Sequence, residues 1–174
     1  MAPRLRRRGA ARGRPPTLPH KAGHREEVSV AAALWLTPVR DRLARAYQTL
    51  VNGYFTNVEV AEFLGGALRG LPDPVTATWD GGTMHRGGPI RERVEQSRGR
   101  LDLEPLPPQA PELMPVEQVW KWLKYDRPGN FAPRDAHHLN EVVVRELGTA
   151  REDQELLRSL FHLSDLPVPR TLLS

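Results

Sequence analysis

Cysteine is absent from the sequence. Its absence excludes disulfide staples and thiolate zinc sites and suits a reducing compartment. Also missing is any uninterrupted apolar run of the length a bilayer requires, so no membrane span is predicted. Lysine is scarce: of 25 basic residues only Lys21, Lys121 and Lys124 are lysine. With plentiful Ala, Gly and Pro, that bias points to a GC-rich genome and to a bacterial, cytoplasmic protein, and it weighs against an organellar transit peptide. Acid is missing from residues 1–25, which carry Arg4, Arg6, Arg7, Arg8, Arg12, Arg14, Lys21 and Arg25. The remaining positions hold 17 basic against 21 acidic residues, so the excess positive charge lies in the N-terminal arm. Such an arm can hold phosphate backbones through counterion release. A disordered, solvated tail explains the same composition, and it is the expectation for 1–25.

From residue 26 onward the chain is long enough for one domain with a real core. "EEVSVAAALWL" alternates with the period of a strand, and "RLARAYQTLV" is a second such run. The turn chemistry of "TPVRD" between them predicts an antiparallel hairpin. "TNVEVAEFLGGALRGL" opens with Thr56 and Glu59 in capping-box spacing and sets Val60, Phe63, Leu64, Ala67, Leu68 and Leu71 on one face of a helix. "PDP" ends it, and "VTATWD" follows as a short strand closing at Asp80. Helical "GPIRERVEQS", the proline-broken strand "LDLEPLPP" and a helix from Pro115 with Val116, Val119, Trp120 and Leu123 inward come next. Two more amphipathic segments, "DAHHLNEVVVRELG" and "EDQELLRSLFHL", complete the chain. Strands followed by helices predict an α/β domain with a mixed sheet and flanking helices.

Two acids occupy positions where chemistry is often placed. Asp80 ends a strand, and Glu117 falls in the first turn of a helix, where backbone N–H groups favour a carboxylate. Acids so placed can share divalent ions, since hard Mg²⁺ takes a few carboxylates plus phosphate oxygens. On residue types alone the plainer readings are favoured: a turn residue before Gly-Gly for Asp80, a dipole partner for Glu117.

The surroundings of the two acids change that balance. "TWDGGTMHRGG" followed by "LDLEPLPPQAPELMPVEQVWKWLK" resembles the closing part of the DDE catalytic domain in transposases of the IS630 and Tc1/mariner group. The elements that carry the resemblance are Asp80, His85, Leu106-Pro107-Pro108, Pro111, Glu112-Leu113, Pro115, Val116-Glu117 and the Trp120 helix with Lys121 and Lys124. Asp80 and Glu117 are separated by 36 residues, close to the family's spacing. The resemblance is strong over 79–124 and extends weakly from about Arg12 ("RGRPPTL") to the last helices. It implies an RNase H-like fold in which Asp80 and Glu117 are the second and third catalytic acids, binding two Mg²⁺ (or Mn²⁺) ions for attack on a DNA phosphodiester. The implied partners are transposon-end and target DNA in the nucleoid. His85 is a candidate contact to DNA or the metal's water, or a cap for the next helix, and Lys121 and Lys124 are candidate DNA contacts. Gly81, Gln109 and Met114 depart from the family's usual Asn, Tyr and Asn; neither glycine nor methionine can replace an amide's hydrogen bonds.

By the same resemblance, the first acid lies on a first, central strand upstream of the hairpin. No acid precedes Glu26, and Glu26 and Glu27 are poor substitutes. Residues 26–174 are therefore expected to form a partial RNase H-like domain lacking that strand, with two sheet edges left open. Two functions follow as expectations. One is a transposase segment active only when an upstream product or a frameshift fusion supplies the missing acid and strand, with that upstream product or a second copy in a homodimer as the implied protein partner. The other is a non-catalytic remnant or regulatory protein that binds DNA or a transposase.

Overall fold

The structure, a computed structural model, describes residues 27–37, 42–125, 133–149 and 153–167. The expected basic arm and the "TPVRD" turn lie outside them, apart from Thr37. β1 (Val28–Thr37) and β2 (Arg42–Val51) pair antiparallel, in register from Val28 with Val51 to Thr37 with Arg42. Alternation along β1 turns Val28, Val30, Leu34 and Leu36 toward one core. That core is closed by three helices: α3 (Pro115–Tyr125), α4 (Ala136–Thr149) and α5 (Gln154–His162). Val119, Leu123, Leu147 and Leu157 are its most deeply buried side chains. At the start of α5, the Gln154 amide donates to the Leu43 carbonyl (3.0 Å) and accepts the Leu43 N–H (3.1 Å), satisfying the β2 backbone as a neighbouring strand would.

The second group of elements is α1 (Asn57–Arg69), β3 (Val75–Trp79), α2 (Gly88–Gln96) and β4 (Leu101–Pro105). β3 and β4 run parallel, as a strand–helix–strand unit requires, and Val75 aligns with Leu101. α1 starts as its sequence predicts. The Thr56 hydroxyl accepts from Val58 N–H (3.2 Å), while the Glu59 carboxylate accepts from Thr56 N–H (2.8 Å). Its buried face differs in part from the expected one, since Ala61 and Gly65 are buried beside Val60 and Leu68. Arg93 of α2 lies across them and donates to the Ala61 carbonyl. A Cβ on Gly65 would come within 2.9 Å of that guanidinium, so the small residues exist to let Arg93 pass.

The domain is mixed α/β, with five α-helices among the described residues. Its four strands pair two by two instead of forming one continuous mixed sheet. Among the described residues no strand joins β1 to β3. No described helix is long and apolar enough to cross a membrane.

Candidate active site

Strand β3 delivers Asp80. Pro105 has no N–H, but Leu106 N–H donates to the Trp79 carbonyl (2.8 Å), so the β3–β4 ladder holds up to the residue before the acid. The chain then turns through Gly81 and Gly82 into a short 3₁₀ turn, Thr83–His85. Gly82 N–H donates to Asp80 Oδ1 at 2.9 Å, and a Cβ on Gly82 would lie 2.9 Å from that same oxygen. His85 Nδ1 sits 2.8 Å from Asp80 Oδ1 and 3.1 Å from the Asp80 carbonyl oxygen. Both neighbours are acceptors, which assigns the proton to Nδ1. The imidazole stacks on the Trp79 indole, centroids 4.6 Å apart and planes within 2°. His85 is accordingly 19% exposed, against 57% for Asp80.

Glu117 is delivered by the proline-rich segment. A second 3₁₀ turn, Pro111–Leu113, leads into α3, and Glu117 N–H donates to the Met114 carbonyl (3.0 Å) in the helix's first turn. The end of α5 fastens this segment. Asp165 N–H donates to the Glu112 carbonyl (2.8 Å), and the buried Gln118 side chain donates to the Leu163 carbonyl (3.0 Å). Lys121 and Lys124 are exposed and follow Glu117 at i+4 and i+7, so acid and cations share one helix face.

The two acids meet at one cavity of about 220 Å³. Its walls are Leu106 and Pro107 from the end of β4, Gln109 to Pro111, and Met114. Two of the three departures from the transposase pattern, Gln109 and Met114, therefore line the space between the acids. The third, Gly81, lies against Arg86, whose Nη2 would be 3.3 Å from an added Cβ. His85 is placed at Asp80, whereas Lys121 and Lys124 do not line the cavity.

Two carboxylates on a partly apolar wall match a hard cation that keeps waters and takes further oxygens from a substrate. Among the described residues no three His, Asp or Glu side chains converge as a complete ligand set. His137 and His138 stand in the first turn of α4, where the His138 N–H donates to Asp135 Oδ1 (2.7 Å), as a solvated helix start would have it. Sequence reasoning missed the Trp79–His85 stack and the Gln118 clamp. An aromatic residue directly before a strand-ending acid was the available signal for the first; Gln118, a lone polar residue on an apolar helix face, was the signal for the second.

An α/β domain that presents two acids, one from a strand end and one from a helix start, to a single open cavity fits the class of carboxylate-based phosphodiester enzymes. A family model for DDE superfamily endonucleases matches residues 1–140, and the chain belongs to that family. No curated protein matches the chain significantly. α5 lies beyond the matched residues yet completes the larger core and fastens the segment that carries Glu117.

Proposed function

We propose that the chain is a segment of a DDE transposase of the IS630/Tc1-mariner group, acting in DNA strand cleavage and transfer at transposon ends. Asp80 and Glu117 serve as its second and third catalytic acids. The observation that carries this reading is that both acids line one cavity although they arise from different elements. Mg²⁺ or Mn²⁺, when held there, supplies the positive charge without which an anionic phosphodiester is repelled by carboxylates. The protein's part is to fix the acids, exclude competing ligands with Leu106, Pro107 and Met114, and hold neighbouring DNA phosphates with Lys121 and Lys124. Its substrate is DNA.

The RNase H-like reading rests on the two strand pairs. One strand inserted between β1 and β3 would unite hairpin and parallel pair into a single mixed sheet, and an acid on it would complete the set. An upstream product or a frameshift fusion would be its source. A non-catalytic role, binding DNA or a transposase, draws on the exposed Lys121 and Lys124 and on the open strand edges.

The test is Mg²⁺- or Mn²⁺-dependent nicking of terminal-repeat DNA. The isolated chain is expected to nick none. Robust cleavage by the chain alone, abolished by Asp80→Ala, would sink the claim that a further strand and acid are required. Reading the DNA upstream of Met1 in all frames separates the two functions: an Asp-bearing apolar strand favours the transposase, unrelated coding favours the remnant.

A further inference from the structure

We propose that His85 is a positioning residue that holds Asp80 by Oδ1 and leaves Oδ2 as the oxygen offered to a divalent cation. This rests on the reading of Asp80 as a metal-binding acid. Oδ1 already receives two donors, Gly82 N–H at 2.9 Å and His85 Nδ1 at 2.8 Å, and no described residue donates to Oδ2. A carboxylate with one oxygen so engaged is fixed in rotation and presents the other in a single direction.

Rigidity reaches the acid through a chain of contacts. Trp79 packs on the small core of Val60, Ala61 and Ile90, and its ring supports the imidazole face to face. Nδ1 then bonds to the side chain and to the carbonyl of the same residue, fixing backbone and carboxylate together. One face of the ring is covered by Trp79 and its Nδ1 is engaged, so little of His85 is left for DNA. Gly82 completes the arrangement, because any Cβ there would collide with Oδ1.

The test uses the full chain and Mn²⁺ as probe, with binding followed by electron paramagnetic resonance and fold by thermal melting. Asp80→Asn is the reference that removes the site. His85→Phe keeps a ring on Trp79 but deletes the donor; His85→Ala deletes both; His85→Asn places an amide N–H near the position of Nδ1. Phe and Ala are expected to weaken Mn²⁺ binding about 10–100-fold, the usual cost of losing a residue that orients a ligand, and Asn to restore most of it. Wild-type-like binding by His85→Phe overturns the proposal, as does failure of Asn to rescue. Weaker DNA binding by His85→Phe with Mn²⁺ affinity unchanged also overturns it and makes His85 a DNA contact. If Asp80→Asn leaves Mn²⁺ binding untouched, the underlying metal-site reading fails instead. Imidazole ¹⁵N spectra supply a metal-free measure: His85 is expected as the Nδ1–H tautomer in the native chain and to lose that preference in Asp80→Ala, and an Nε2–H tautomer in the native chain refutes the contact.

Discussion

Glu117 stands on a helix whose neighbours Val119 and Leu123 are each 1% exposed, within a core of eleven buried residues. Asp80 follows a strand whose core has three, Val60, Ala61 and Ile90. The larger core is closed on the hairpin by α3, α4 and α5. The smaller lies on one face of β3 and β4, while Thr76, Thr78, Asp102 and Glu104 face outward and exposed. Hydrophobic stabilisation scales with apolar area removed from water, so the two acids rest on supports of very different strength. The cavity between them is bridged by a proline-rich segment, Leu106 to Pro115, whose fixed φ angles limit how far the acids can drift apart.

The largest expected effect breaks the strong half. Leu157, 0% exposed, packs from α5 into the core beneath the hairpin. Leu157→Ala is expected to cost about 2–5 kcal/mol, toward the upper end, because the surrounding residues are too well buried to collapse into the cavity. Ile90→Ala should fall toward the lower end of that range and act locally. Urea titration measures both. Hydrogen exchange sharpens the contrast: amides of β3, β4, α1 and α2 should exchange before those of β1, β2, α3, α4 and α5. Uniform protection across both halves would refute the comparison.

Next in size is the clamp at Glu117. Gln118→Leu removes the donor to the Leu163 carbonyl and leaves a part-buried acceptor unsatisfied, a loss of about 1–3 kcal/mol. Calorimetry reads the cost. The informative measure is the chemical shift of the Glu117 backbone amide, which should move with the loosened helix start while that of Asp80 stays put. A shift at Asp80 of equal size would mean that the halves do not respond separately.

These differences also mark what was legible in the sequence. Element type followed from period and caps: the Thr56/Glu59 pair is seen at its predicted bonds, and Asp80 directly follows the last residue of a strand. The candidate site is read only through the resemblance of the proline box to the transposase pattern, since residue types alone favour a turn residue at Asp80 and a dipole partner at Glu117. What escaped depends on contacts between distant segments. Arg93 reaches Ala61 over 32 residues and Gln118 reaches Leu163 over 45, and no periodicity within either segment encodes such a meeting. Pairing beyond the β1–β2 hairpin escaped for the same reason: alternation fixes which face of a strand is buried, not which strand lies beside it.

The smallest effect compares the helix starts of the two halves by pH. The Thr56 hydroxyl, followed by backbone N–H donors, holds the Glu59 carboxyl below the usual carboxylate range, and the His138 N–H does the same for Asp135 at α4. Both groups bind protons more weakly folded than unfolded. Their contribution is therefore complete above the unfolded-state pKa and is lost as pH falls through the lower folded-state value. Since α1 belongs to the thinly buried half, acidification should release α1 before α4 even though both caps titrate in the same acidic window. Far-UV circular dichroism with residue-resolved amide spectra between neutral and acidic pH checks the order. Loss of α4 first would show that cap chemistry, and not the size of the core behind it, decides which half yields.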